Sequence, residues 1–299
     1  MAEDLRVIHV VPGLADASSG IAAAARIIAS RQNAQLVEAK GVDERSLGMA
    51  DEVWVHSTWT PAVWRACFIA RGLGKRLVRM PHGNLDPVRR RFGAWKKALA
   101  GPFERRSLRM AGRIVVTCEA ERSWVEDYLC GRCPPIDVVD MGSLFPAADM
   151  DGARREKRGN ASDVRVLYMG RRHPLKGVDC LEEAVESLRR EGRRITLRVE
   201  SSVYGADKEA AFGWCHVFCL PTLSDNFGIV VAEALARGKP VITTDGAPAW
   251  AGDPRVVYIE GYRGASHSER VRLLRSALVT FFPKTGTAAD VTSQNRGTC

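Results

Sequence analysis

The chain has 299 residues, 45% of them hydrophobic and 26% charged, with 27 glycines and 14 prolines. That balance suits a folded chain long enough for two domains, and no apolar run reaches the roughly 18–20 residues of a membrane-spanning helix. Net charge is +9, but it is concentrated rather than spread. The acidic start, Met1-Ala2-Glu3-Asp4, lacks the basic stretch of a secretory leader, so a cytoplasmic protein is expected.

In chain order, "LRVIHVVPG" (5–13) reads as a buried strand and the alanine-rich "SGIAAAARIIASRQ" (19–32) as a helix. "DEVWVHSTW" (51–59), "KRLVRMPHG" (75–83), "GRIVVTC" (112–118) and "IDVVDMG" (136–142) are further strands. Between them "TPAVWRACFIARGL", the basic stretch 86–113 and "EAERSWVEDYL" are helical. The basic stretch holds nine Lys or Arg against two acids, interleaved with Phe92, Trp95, Leu99 and Phe103. It reads either as a solvated helix face or as a contact for an anionic surface, such as lipid headgroups at the inner face of the membrane or a phosphorylated acceptor. No helix-turn-helix, zinc-finger or RNP pattern accompanies it, so no specific nucleic acid is expected.

A polar stretch, 146–163, reads as a linker between a first unit (1–145) and a second (164–283), with a polar tail at 284–299. The alternation then restarts. "VRVLYMG" (164–170), "ITLRVES" (195–201), "HVFCLPT" (216–222), "PVITT" (240–244) and "RVVYIEG" (255–261) are strands. Residues 177–192, 205–215, 227–238 and 269–282 are helices. The fold class is therefore α/β, two Rossmann-like parallel-sheet units facing a cleft where ligands gather beyond the strands' carboxyl ends. Of eight cysteines, only Cys130 and Cys133 have ligand-like spacing, and no second pair completes a zinc site. His9 and His216 lie within apolar runs and read as core; Trp250 is either cleft wall or packing.

Two stretches carry chemistry. In "TLSDNFGIVVAEALARGKPVITT" (222–244) a strand and a loop enter a helix closed by Gly238. Ser224, Asp225 or Asn226 is suited to cap that helix. The backbone N–H groups around Phe227, Gly228 and Ile229 would then face an anion, a phosphate above all. Glu233 lies among Val231, Ala232, Ala234 and Leu235, where a carboxylate is costly unless partnered. It is either a sugar-hydroxyl ligand or a salt-bridge partner. In "GRRHPLKG" (170–177) Arg171 and Lys176 leave a strand for a helix at the same end of the sheet, a fork and a point charge that suit a diphosphate. No dinucleotide fingerprint, P-loop, nucleophile elbow or H-E-x-x-H is present.

The pairing of strand-GR-x4-KG-helix with strand-loop-D-x7-E-helix resembles the C-terminal domain of retaining GT-B glycosyltransferases, specifically glycosyltransferase family 4, of the lipopolysaccharide and surface-polysaccharide type. "VWVHSTW", "MPHGNLDP" and "RIVVTCEAERSWV" agree in the first half. The resemblance implies a metal-independent enzyme without cofactor, moving a sugar from a nucleotide-sugar donor to a lipid-linked or saccharide acceptor. Arg171 and Lys176 would bind the diphosphate and Glu233 the ribose. Asp225 and the backbone of Asn226, Phe227, Gly228 and Ile229 would hold the donor sugar and phosphate. Ser19 and Gly20 would approach the diphosphate from the other unit, with His82 near the donor sugar and His56 a weaker acceptor-side candidate. Two departures stand out: the first acid is Asp rather than Glu, and few residues separate "ITLRVES" from "VYGADKEAAF", so the C-terminal unit is abbreviated. The same scaffold would also serve a nucleotide-sugar epimerase or a non-catalytic nucleotide-sugar-binding protein.

Overall fold

The computed structural model describes residues 5–16, 19–145, 163–201 and 203–282. The expected linker at 146–163, all but Asp163, and the expected tail lie outside the described residues.

The first sheet takes β1 (Val7–Val11), β2 (Gln35–Glu38), β3 (Glu52–His56), β4 (Arg76–Met80), β5 (Arg113–Val116) and β6 (Ile136–Val138) in the order β2-β1-β3-β4-β5-β6. Every pairing is parallel. The second takes β7 (Val164–Met169), β8 (Ile195–Glu200), β9 (Val217–Leu220), β10 (Val241–Thr244) and β11 (Val256–Ile259) in the order β11-β10-β9-β7-β8, again parallel. The central strands are mostly apolar and buried, as expected of a parallel sheet covered on both faces, while the edge strand β2 is exposed or half-buried. The connecting helices are α1 (Gly20–Arg31), α2 (Glu44–Gly48), α3 (Pro61–Gly72), α4 (Pro87–Arg91), α5 (Ala94–Arg109) and α6 (Glu119–Leu129) in the first unit. In the second they are α7 (Val178–Arg190), α8 (Gly205–Trp214), α9 (Ile229–Ala236) and α10 (His267–Val279).

The order in which strands are laid down reverses between β1 and β3 in one sheet and between β7 and β9 in the other, while every strand stays parallel. At such a switch point the two flanking loops diverge and leave a crevice. The segments that follow β1, β7 and β9 there are among those singled out from sequence, with Ser19 and Gly20 in the first unit and 170–177 and 221–228 in the second; the loop 57–60 after β3 joins them. β8 passes to α8 through residues 201–204, so the C-terminal unit is short at that point.

Local chemistry explains several ends. Ser19 caps α1, accepting from Ala22 N–H at 3.2 Å, and Thr60 caps α3 ahead of Pro61. The basic stretch is not one helix. Gly93, at φ +64°, breaks it into α4 and α5. Nor is it wholly solvated: Glu104 of α5 is fully buried against Arg79 at 2.8 Å, and its other oxygen accepts from Trp59 N–H and Trp64 Nε1 at 2.6 and 2.7 Å. Arg79 donates its second nitrogen to Val55 O, so the ion pair pins α5 across β3 and β4. What α5 leaves outside includes an apolar stripe among exposed cations: Trp95, Leu99 and Phe103, four residues apart, are 66, 71 and 55% exposed.

Candidate functional site

The carboxyl ends of β7 and β9 hold the basic and acidic residues together. Lys176 ends a short turn (Pro174–Lys176) and its Nζ donates to Asp225 Oδ2. Gly177 follows at φ +61°; a Cβ there would sit 2.1 Å from Pro221 O, so only glycine lets the 170–177 loop lie this close to the 221–228 loop. Burial alone would raise the Asp225 carboxyl, but Lys176 and Arg89 beside it outweigh that and hold it below the usual carboxylate range. Arg171 is exposed, and its guanidinium makes no ion pair among the described residues. The two cations expected to converge are therefore in different states, Lys176 paired and Arg171 reaching into solvent.

None of Ser224, Asp225 and Asn226 caps α9, contrary to the reading from sequence. Gly228, at φ +64°, occupies the N-cap position with no side-chain cap. The reason is that all three are already committed: Asp225 to Lys176, and Ser224 and Asn226 to the other unit. The backbone N–H groups of Phe227 and Gly228 have no acceptor among the described residues. Ile229, the first residue of α9, has no turn before it to accept its own. The Phe227 ring is buried against Trp250 and Phe145, and Trp250 Nε1 donates to Phe227 O. Trp250 is thus packing that fixes the loop, and Phe227 offers a ligand only its backbone.

Glu233 projects from the second turn of α9. One oxygen accepts from Lys208 Nζ at 2.6 Å; the other, Oε2, is buried with no partner among the described residues. A buried carboxylate oxygen left without a donor is costly.

On the first unit Ser19 and Gly20 stand at the start of α1, with no side chain crowding Gly20. His82 has φ +56°, a left-handed backbone that costs a non-glycine residue about 1 kcal/mol. It is held there by its ring: His82 Nε2 lies 2.7 Å from His56 Nδ1, and His56 Nε2 lies 2.8 Å from His9 Nδ1. His9 Nε2 in turn reaches Gln32 Oε1 at 2.7 Å. His56 is fully buried inside this chain, so the structure does not place it on the acceptor side. His9 is core as expected; His216 is half-buried, its Nδ1 accepting from Arg165 N–H at 3.2 Å. Burial depresses all three linked imidazoles, His82 to about 3, and the positive charge of Arg79 depresses His56 and His82 further.

The residues that sequence reasoning missed are the ones that join the units. Glu121, fully buried on α6, accepts from Gly83 N–H at 2.5 Å, Thr117 N–H at 2.9 Å and Asn226 Nδ2 at 2.8 Å. A Cβ on Gly83 would lie 2.6 Å from that of Asn226, so the histidine-bearing loop and the loop before α9 touch. Asp86, buried at the start of α4, accepts from Ser224 Oγ and pairs with Arg263 at 2.6 Å, while Arg89 donates to Ser224 Oγ at 3.0 Å. Glu121 bonds to Gly83 and Thr117 within its own unit and to Asn226 across the junction, while Asp86 takes Ser224 and Arg263 from the second unit.

The arrangement is a crevice at two switch points, with a lysine–aspartate pair, free backbone donors and a half-satisfied buried carboxylate. The free cysteines Cys130 and Cys133 are exposed and half-buried at the end of α6. Residues 3–142 match the family model described as a glycosyl transferase 4-like domain, and residues 198–251 match glycosyl transferases group 1. Among curated relatives, the phosphatidyl-myo-inositol mannosyltransferase of Mycobacterium tuberculosis is 30% identical over 162 residues, 46% of this chain and 41% of its own length. The D-inositol 3-phosphate glycosyltransferase of Mycobacteroides abscessus is 26% identical over 191 residues, 53% of this chain and 43% of its own. The chain thus spans less than half the length of these relatives. A sucrose-phosphate synthase from Thermosynechococcus elongatus superimposes with TM-score 0.61 at 14% identity, over 92% of this chain and 90% of that one. A UDP-forming trehalose-phosphate synthase from Burkholderia xenovorans does so with TM-score 0.56 at 15% identity, over 86% and 70%. Those two likenesses establish the GT-B fold. The family matches place glycosyltransferase sequence in both halves of the chain.

Proposed function

We propose that this GT-B chain is a retaining glycosyltransferase that moves a sugar from a nucleotide-sugar to a lipid-linked or saccharide acceptor, in the building of surface polysaccharide or lipopolysaccharide. The observation that carries the reading is Glu233, eight residues beyond the ion-paired Asp225: a buried carboxylate with one oxygen on Lys208 and the other unpartnered among the described residues. Two ribose hydroxyls would satisfy Oε2, and the unbonded N–H groups at 227–229 would take phosphate oxygens. Lys176 and Arg171 would stabilise the charge that develops on the leaving diphosphate as the glycosidic bond breaks, which is electrostatic catalysis by the chain's own cations. Asp225 would release Lys176 to the phosphate and turn to a donor-sugar hydroxyl. Ser19 and Gly20 would approach the diphosphate from the first unit, and His82 the sugar. Asn226 enters this reading through its backbone alone, because its side chain is held by Glu121.

For the acceptor, the names of the two curated relatives each contain a phosphorylated inositol. The exposed Trp95-Leu99-Phe103 stripe, flanked by Lys96, Arg105 and Arg106, supports an acceptor presented at an anionic lipid surface. Among the described residues no helix is long and apolar enough to cross a membrane.

Thermal unfolding of the wild type and Glu233→Ala against UDP, GDP, ADP and CMP and their sugars tests the donor site. A ligand at a hundred times its dissociation constant adds about 2.7 kcal/mol, and one nucleotide should stabilise the wild type but not the variant. Stabilisation by none would overturn the reading; stabilisation without transfer to any acceptor would leave a binding protein.

A further inference from the structure

Three histidines far apart in sequence form one line of rings. His9 on β1, His56 at the end of β3 and His82 beyond β4 stack at successive centroid distances of 5.0 Å, with Trp54 covering His9 at 5.1 Å. Each imidazole meets the next nitrogen to nitrogen, at 2.8 and 2.7 Å. An imidazole that is neutral carries one N–H and one lone pair, so two facing nitrogens at this distance require one of each. Two cations in succession would put protons on both facing nitrogens and break the contact. The charged groups around the line make protonation costlier still: Arg79 lies against His56 and His82, and Glu52, the one acid facing His9, is itself taken up by Trp54 Nε1 and Arg113.

In such a line the choice at one end dictates the rest. Gln32, the exposed residue that closes α1, presents Oε1 to His9 Nε2 at 2.7 Å. A carbonyl oxygen only accepts, so His9 carries its proton on Nε2 and its Nδ1 is bare. His56 must then donate from Nε2, leaving its own Nδ1 bare, and His82 must donate from Nε2 in turn. The last nitrogen, His82 Nδ1, is left as a lone pair without a partner among the described residues.

We propose that Gln32, His9 and His56 are positioning residues that fix His82 in the Nε2–H tautomer, so that its Nδ1 stands as an acceptor for a substrate hydroxyl in the crevice. The second half of that statement rests on the glycosyltransferase reading; the first half does not. An amide turned the other way would reverse all three rings and make His82 Nδ1 a donor. The exposed end of α1 therefore decides, two rings away, what kind of group His82 recognises.

The test is the two-bond proton–nitrogen correlation spectrum of the full chain with nitrogen-15 histidine, recorded near neutral pH without ligand. All three rings should appear as Nε2–H tautomers, with nitrogen–nitrogen coupling across both ring-to-ring contacts. Gln32→Glu, which keeps an acceptor at the end of the line, should leave the pattern unchanged. Gln32→Leu, at an exposed position where folding is not at stake, should cost His82 its single tautomer although two rings lie between. A His82 that is Nδ1–H or cationic in the wild type, or one that is indifferent to Gln32→Leu, overturns the proposal. A nucleotide-sugar series that never moves the His82 signals, with the tautomers as described, would instead count against the glycosyltransferase reading alone.

Discussion

Lys176 and Glu233 divide the work at the residue scale. Replacing Lys176 removes a cation aimed at the leaving group and also strands the mostly buried Asp225 carboxylate beside it. Lys176→Met should lower kcat by about 10²–10³-fold and lower the thermal midpoint as well, so the kinetics are read at a temperature where unfolding shows the variant still folded. Glu233→Gln should raise KM for the donor far more than it lowers kcat, because ribose contacts are made equally in ground and transition states. The histidines give a pH signature. Their folded values lie below the ordinary 6.5, so the unfolded chain binds protons that the folded one refuses. Stability is then full above about pH 6.5 and falls as pH drops below it, by up to about 1.4 kcal/mol per pH unit for each ring. Asp225 works in the opposite range: its folded value is depressed, so its contribution is lost only as pH falls through that lower value. A thermal midpoint that stays level between pH 6.5 and 5 would contradict the buried neutral line. None of these couplings was legible from sequence. Residues 9, 32, 56 and 82 have no common spacing, and Glu121 reads as one acid among several in "EAERSWVED".

The strands and long helices are where the sequence speaks most clearly. β1, β3, β4 and β9 are short, mostly apolar runs rich in β-branched residues between turn signals, and α6 fills the expected Glu119–Leu129. β2 escaped because "QLVE" is four residues at the edge of its sheet, exposed or half-buried throughout, and so carries no apolar run. The start of α9 was misread because propensity favours Ser, Asp or Asn at a cap, and here tertiary contacts claim all three. α5 shows both outcomes in one element. Its inner face is held by the Arg79–Glu104 pair, whose exposure is nil on both sides. Glu104→Leu should cost about 3–5 kcal/mol by stranding Arg79, whereas Glu104→Leu with Arg79→Met should restore most of it, in denaturant unfolding. Its outer face is the apolar stripe. Leu99→Glu should reduce partition onto anionic vesicles by about tenfold or more, since burying a leucine is worth about 1.5–3 kcal/mol. The same variant should leave the thermal midpoint unchanged, as the side chain touches no core.

For the whole molecule, the two sheets bring their switch points to one crevice, and Asp86, Glu121, Ser224, Asn226 and Arg263 tie the units together beside it. The alternation of strand and helix was enough to expect both units. The junction was not, because its residues acquire meaning only when the second unit covers the first. The proposed reaction, sugar transfer with the donor's configuration kept, leaves its mark on the first product. The most direct measurement is a proton NMR time course of the reaction with the nucleotide-sugar identified by thermal stabilisation and a lipid-linked acceptor. The anomeric coupling of the first product formed is read in buffer containing a chelator. The expected product has the donor's anomeric configuration, forms at an undiminished rate under chelation and is nearly abolished in Lys176→Met. A product of inverted configuration, or one that forms at the same rate with Lys176→Met, would contradict it.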